Sequence, residues 1–251
     1  MRKLTSTNYL SLLMLACLTS FGNVSFTKLE SISPGGSDPK AVQIAQEVMK
    51  AMGGEQAWIS TRYLSWNFFG SRTLLWDKWT GEVRIDWLKK DLKVMVNVLS
   101  GKGKVQLNGV SQSHPDSLSK YLQLGQEVWI NDSYWLVMPF KLLDPGVTLK
   151  YLGKGKTESG QSSDIIQLTF EKVGVTPENK YHIWVDTETS LVTQWAYFEK
   201  NTDNSPKFTN PWIDYKWYGN ILLSGDRGRA GRSLYPIEVP DSVPKGIFSE
   251  F

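Results

Sequence analysis

The chain has 251 residues, 41% of them hydrophobic, which is enough to bury a substantial core in one domain. Its 28 basic and 25 acidic residues give a net charge of +3, and this near balance argues against a nucleic-acid-binding protein. The aromatic content is informative, with 11 Trp beside 10 Tyr and 10 Phe, because large rings bury much area and also line apolar pockets.

The N-terminus has the pattern of an export signal. Two basic residues precede an apolar run over residues 9–18, which is shorter than the roughly 20 residues that a spanning helix needs. We predict a signal peptide over residues 1–22. In a second interpretation "MLAC" is a lipobox and Cys17 is lipidated, although Leu15 fits that motif poorly. Both interpretations predict a bacterial periplasmic or envelope protein, soluble or lipid-anchored, with no transmembrane span.

A tether and a helix are predicted next. Residues 23–36 contain Ser, Gly and Pro without periodicity and precede a single domain over residues 37–251. "SDPKAVQIAQEVMKAMGG" predicts a helix that Ser37 or Asp38 caps and that Gly53-Gly54 ends. Helical spacing gives it one apolar face, formed by Ala41, Ile44, Ala45, Val48 and Met52.

The remaining pattern is one of strands. About four strands precede a helical insertion and six or so follow it, with predicted turns at residues 80–81, 101–104, 153–156 and 186–189. In the first strand, alternation places Leu64, Trp66 and Phe68 on one face. Antiparallel strands with segregated helices predict the α+β class, built as a large curved antiparallel sheet or unclosed β-barrel.

The insertion lies at residues 114–144, and we expect a helix, an interruption and a second helix. Residues 131–133 would cap the second helix, and Pro139 would end or kink it. The segment "WINDSYWLVMPFKLLDPGV" would lie over the mouth of the curved sheet as a lid. Asp132 and Lys141 would mark its polar edge. A structural plug with no ligand is the alternative.

The inventory for catalysis is poor. The chain has two His and a single Cys, and no zinc, EF-hand or nucleophile-elbow motif, so we predict no metal and no cofactor. His114 is expected before a turn and His182 on a strand face. Asp186 and Glu188 fall in a predicted turn, where Asp bonds to its own backbone. An exported carboxylate-based hydrolase acting on glycans remains an alternative, because Trp-rich clefts stack sugars.

The segment "GDRGRAGR" at residues 225–232 gathers three Arg in a loop. We interpret it as a solvated surface loop. The alternative is a docking surface for an acidic partner or for lipid head groups.

Five stretches carry a resemblance to a known family. They are "MGGEQAW", "WDKWTGEVRID", "WINDSYWLVMPFKLLDPGV", "LTFEKVGVTPENKYHIWVD" and "WIDYKWYGNILL". The chain resembles an uncharacterised exported bacterial family of the DUF6503 type, near the LolA-like superfamily of envelope lipoprotein carriers and sensors. The resemblance implies an unclosed antiparallel barrel whose helices cover an apolar cavity. It implies no catalytic residue and no established activity.

These observations predict an envelope binding or carrier protein, not an enzyme, for an apolar ligand such as a lipid or lipoprotein acyl chain. An envelope protein partner is a further expectation, and a ligand-free interaction scaffold is another alternative. The predicted cavity or lid residues are aromatic or large and apolar: Trp66, Phe68, Tyr134, Trp135, Met138, Phe140, Trp195, Tyr197 and Trp217.

Overall fold

The computed structural model describes residues 36–171, 174–229 and 231–251. The predicted signal peptide, Cys17 and all but the last residue of the predicted tether lie outside the described residues. Within the described part of the chain, no helix is long and apolar enough to cross a membrane.

The described residues form α-helices and antiparallel strands. The helices are α1 (Pro39–Ala51), α2 (Gly54–Ser60) and α3 (Pro115–Val137), and a short 3-10 helix (Met138–Lys141) follows α3. The strands before α3 are β1 (Tyr63–Phe68), β2 (Arg72–Asp77), β3 (Glu82–Trp87), β4 (Leu92–Asn97), β5 (Gly103–Leu107) and β6 (Val110–Ser111). Those after it are β7 (Val147–Lys156), β8 (Ser162–Phe170), β9 (Lys180–Asp186), β10 (Val192–Phe198), β11 (Phe208–Pro211), β12 (Ile213–Tyr218), β13 (Ile221–Asp226) and β14 (Ile237–Glu238).

Hydrogen bonding divides these strands into three sheets. A seven-stranded sheet has the order β14-β1-β2-β3-β4-β5-β6, a five-stranded sheet has the order β11-β10-β9-β8-β7, and β12 pairs with β13. The predicted α+β class and the predicted antiparallel architecture, not closed into a barrel, are confirmed. The sequence pattern did not show the division. Helix α3 lies between β6 of the first sheet and β7 of the second, but β14 returns to pair with β1, and β12 and β13 form a separate sheet. Since β6 is only two residues long, it offers little edge for further pairing.

Helix α1 has the predicted apolar face, and its five predicted face residues are all buried. The predicted caps have other partners: Ser37 Oγ accepts a hydrogen bond from the backbone of Leu149, and Asp38 Oδ2 accepts one from the backbone of Tyr151. These bonds attach the start of α1 to β7. Gly53, with a φ of 112°, ends α1 as predicted, but the chain re-enters a helix at once, and α2 was not predicted.

Helix α3 runs without interruption through Asn131, Asp132 and Ser133, so the predicted break there is wrong. Asp132 bonds to the side chain of Arg72 on β2 and does not cap a helix. The α-helix does end before Pro139, as predicted, because proline cannot donate the next backbone hydrogen bond.

The two Gly-Lys-Gly-Lys segments differ in structure. In the first, Gly101 lies in the turn with a φ of 72°, and Gly103 already begins β5. The second, residues 153–156, is part of β7, so the turn predicted there is wrong. A bulge between Tyr151 and Gly153 lets the strand continue, and the actual connection to β8 follows Lys156.

Candidate functional site: an aromatic pocket

An aromatic pocket of about 340 Å³ lies where α3 meets the inner faces of the two large sheets. Seven rings line it: Trp76 on β2, Trp129, Tyr134 and Trp135 on α3, Phe170 on β8, Tyr181 on β9 and Trp195 on β10. Pro145 and Val147 add apolar surface. The volume falls in the range of small-molecule sites, which are mostly apolar with few polar groups.

Strand register brings the sheet rings together. Tyr181 on β9 pairs with Leu168 on β8 and with Tyr197 on β10. Trp195 on β10 pairs with Ile183 on β9. Because side chains alternate between the two faces of a sheet, Tyr181 and Trp195 both lie on the inner face. Tyr181 stacks on Trp195 with ring centroids 5.2 Å apart and planes 11° apart. The edge of Trp135 from α3 meets Trp195 at 4.6 Å, and this contact joins the helix to the sheet.

A buried ion pair holds α3 against the seven-stranded sheet. Arg72 donates from Nε to Asp132 Oδ2 at 2.6 Å and from Nη2 to Asp132 Oδ1 at 2.7 Å, and the Asp132 side chain has no exposed surface. Burial outweighs the attraction of Arg72 and raises the pKa of the Asp132 carboxyl. Asp132 was expected at the polar edge of the lid. It is instead an anchor, because the continuous helix turns it toward β2.

A buried arginine holds the end of α3. Arg227 is fully buried, its guanidinium lies 3.5 Å from the centre of the Trp212 ring, and it donates to Ser224 and to the backbone carbonyl of Trp135. Burial lowers the pKa of Arg227 to about 9. The prediction of a solvated arginine loop is therefore wrong for this residue, because backbone carbonyls and an indole face replace water around it. Arg229 is exposed, as predicted.

The rim of the pocket carries few polar groups. Lys141 lines it, as expected of the polar edge, and forms a half-exposed ion pair with Asp144. Tyr134 and Tyr181 place phenol rings in the wall, and burial raises the pKa of both hydroxyls. Both phenols therefore stay neutral hydrogen-bond donors across the physiological pH range.

The predicted site residues fall into three groups. Tyr134, Trp135 and Trp195 line the pocket. Trp66, Phe68, Met138 and Phe140 are buried in the surrounding core, and Tyr197 lies on the inner face against Tyr181 without lining the pocket. Trp217 is 60% exposed on β12 and takes no part in the pocket.

Four of the seven lining rings were not predicted: Trp76, Trp129, Phe170 and Tyr181. Trp129 belongs to the segment predicted to form a lid. Its place in the pocket wall depends on the continuity of α3, which was not predicted. Tyr181 alternates with buried Ile183 in β9, a period-two signal that was available in the sequence. Trp76 and Phe170 come from different sheets, so no local pattern links them.

A second, more polar groove lies on the outer face of the five-stranded sheet. Its lining includes His182, Trp184 and Gln194, and it measures about 400 Å³. His182 bonds to Gln167 and packs against Phe198. Burial, followed by the charge of Lys180, lowers the pKa of His182 to about 4, so the ring is neutral at pH 7. His182 lies on a strand face, as predicted, and His114 immediately precedes α3.

Of the two carboxylates in the predicted turn, Asp186 has structural partners and Glu188 is exposed. Asp186 accepts hydrogen bonds from the backbone of Glu188 and Thr189, and this lowers its pKa despite partial burial. This is the turn predicted at residues 186–189. Among the described residues, no group of three or more His, Cys, Asp or Glu could hold a metal ion.

Fold and site together define an α+β protein with an aromatic pocket between a helix and two antiparallel sheets. No family model matches the chain, and no curated protein matches it. Membership of the exported family suggested by the sequence therefore stays a prediction.

Eleven chains of solved structures show similarity, and they include the following two. The first is a DUF1329 family protein from Desulfovibrio piger ATCC 29098, at 13% identity and a TM-score of 0.46, covering 84% of this chain and 98% of that one. The second is MucB in complex with MucA(peri), at 12% identity and a TM-score of 0.25, covering 82% of this chain and 66% of that one. Similarity at this level assigns neither a ligand nor a partner to this chain.

Proposed function

We propose that the protein is an envelope binding protein that holds an apolar ligand, such as an acyl chain of a lipid, in the aromatic pocket. The observation that carries this proposal is the concentration of seven rings around about 340 Å³ of space. A plug that served only packing would be expected to fill such a space, because protein interiors are close-packed and rings that line an open pocket leave apolar surface in contact with water.

The anchoring of α3 supports a preformed site. Arg72 and Arg227 hold the helix from two sides, through Asp132 and through the carbonyl of Trp135. Helix α3 then acts as a fixed wall, and the ligand meets rings that are already in place. Preorganisation of this kind lowers the entropy lost on binding. The proposed location in the bacterial envelope rests on the N-terminal sequence alone.

Native mass spectrometry of the purified protein, followed by lipid extraction, tests the proposal directly. A brominated acyl methyl ester gives a second readout, because bromine quenches indole fluorescence on contact and four Trp line the pocket. We expect saturable quenching that a non-brominated ester reverses.

The control is Trp217→Phe, which removes an indole far from the pocket and should leave the quenched fraction nearly unchanged. No co-purified lipid together with no saturable quenching would overturn the proposal.

A further inference from the structure

The pocket wall contains two neutral phenols that have no hydrogen-bond partner among the described residues. Tyr134 and Tyr181 both line the pocket, and their rings lie 5.6 Å apart. Among the described residues, no hydrogen bond to either hydroxyl contributes to its pKa, which burial raises in both cases. Neither hydroxyl is among the buried polar atoms that lack a partner, so each one is open to the pocket. A ligand that offers an acceptor could take the place of water there.

The charges at the rim narrow the chemistry of that acceptor. Lys141 is the cation among the described lining residues, and Asp144 already pairs with it. Asp144 also adds to the raised pKa of Tyr134, so its negative charge is felt at that phenol. Among the described lining residues, a carboxylate ligand would meet this negative charge without a free cation to balance it. An uncharged carbonyl would not carry that cost.

We infer that the pocket selects an acyl ligand with an uncharged carbonyl, such as an ester, and that the hydroxyls of Tyr134 and Tyr181 donate to this oxygen. The inference rests on the proposed function and adds the ligand's polar group to it. The rings would hold the chain by burial, while the phenols would set its depth and distinguish an ester from a hydrocarbon or a free acid.

The test compares three competitors of similar length, methyl decanoate, decanoate and dodecane, for their ability to reverse quenching by the brominated ester at pH 8. One hydrogen bond corresponds to about a 3- to 10-fold difference in affinity. We expect the hydroxyls to give methyl decanoate this advantage, measured as the ratio of its affinity to that of dodecane, in the wild type relative to a variant that lacks one hydroxyl. We also expect methyl decanoate to bind more tightly than decanoate.

Variants then assign the effect to the hydroxyls. Tyr134→Phe and Tyr181→Phe each remove one oxygen and keep the ring, so the ester should lose most of its advantage while dodecane is unaffected. Tyr197→Phe is the matched control, because Tyr197 lies on the same sheet face but does not line the pocket. Thermal melts check that each variant is folded, and either single variant is sufficient if the other does not fold.

The outcomes separate this inference from the proposed function. A ratio of methyl decanoate affinity to dodecane affinity that is the same in the wild type and in both tyrosine variants would overturn the inference and leave the proposed function intact. Tightest binding of decanoate, lost in Lys141→Met, would also overturn it, in favour of a charged head group. No saturable quenching, together with no co-purified lipid, would overturn both.

Discussion

Removing Arg72 should destabilise the protein strongly at neutral pH. The Asp132 side chain has no exposed surface, and Arg72 makes two charge-assisted hydrogen bonds to it, at 2.6 and 2.7 Å. In Arg72→Met the carboxylate stays buried with only the side-chain amide of Asn131 as a partner. Breaking a buried pair by removing one partner costs about 3–5 kcal/mol, and we expect a loss of unfolding free energy in that range at pH 7.

The same variant should respond to pH in a defined direction. Burial already raises the pKa of Asp132, and loss of Arg72 raises it further. For a carboxyl whose folded pKa lies above its unfolded pKa, the folded state binds the proton more tightly. The stabilisation from this tighter proton binding is therefore fully present below the unfolded pKa and is lost as the pH rises through the folded pKa. The deficit of Arg72→Met relative to the wild type should shrink between pH 7 and pH 5.

Urea unfolding followed by Trp fluorescence at both pH values measures these free energies. Lys207→Met is the control, because Lys207 and Glu199 form an ion pair that is more than half exposed, and its loss should cost less than about 1 kcal/mol. The double variant Arg72→Met/Asp132→Leu should recover most of the lost stability. A loss below about 1 kcal/mol in Arg72→Met, or a deficit that grows at pH 5, would refute the argument that this pair anchors α3.

Three further predictions test the packing and the electrostatics. Trp195 is 2% exposed, so Trp195→Ala should lower the unfolding free energy by about 3–5 kcal/mol in urea unfolding. Trp217 is exposed, and Trp217→Ala should change it by less than about 0.5 kcal/mol. Similar losses in the two variants would contradict the assignment of Trp195 to the core and Trp217 to the surface. Gly125→Ala adds a Cβ 2.7 Å from Val94 Cγ1, which is too close for both atoms to stay in place. Thermal melts should show a net loss of about 1–3 kcal/mol in stability, although Ala has the better helix propensity. A stabilised variant would contradict close packing of α3 on β4. The pKa of His182 is lower in the folded state than in the unfolded state, so the unfolding free energy of the wild type should fall by up to about 3 kcal/mol as the pH drops from 6.5 to about 4. His182→Gln should lose less over the same pH range. Equal losses in the wild type and the variant would exclude His182 as the cause.

Local patterns predicted the elements whose causes are local. The apolar face of α1 follows from helical spacing, and the buried face of β1, with Leu64 and Trp66, follows from strict alternation. The end of α3 follows from Pro139, and the turn after β9 from the side chain of Asp186. In each case the residues that decide the conformation are neighbours in sequence, so a short window contains the whole explanation.

Predictions failed where a distant partner changed the role of a residue. Asn131, Asp132 and Ser133 have the composition of a helix cap, but Arg72, 60 positions away, binds Asp132 and leaves the helix unbroken. The glycines of residues 153–156 have turn composition, yet pairing with β8 keeps them in a strand. Arg227 belongs to a polar loop by composition and is buried, because the carbonyl of Trp135 and the face of Trp212 receive it.

By itself, the sequence determined the α+β class, the antiparallel strands and the excess of rings from which an apolar site could be built. Only the tertiary structure decided which rings form that site. Tyr134, Trp135 and Trp195 were predicted and line the pocket, but Trp76 and Tyr181 reach it from different sheets. The physical reason is that alternation tells which face of a strand is apolar, whereas the sheet register and the anchoring of α3 determine which faces meet, and those depend on contacts between residues far apart in the chain.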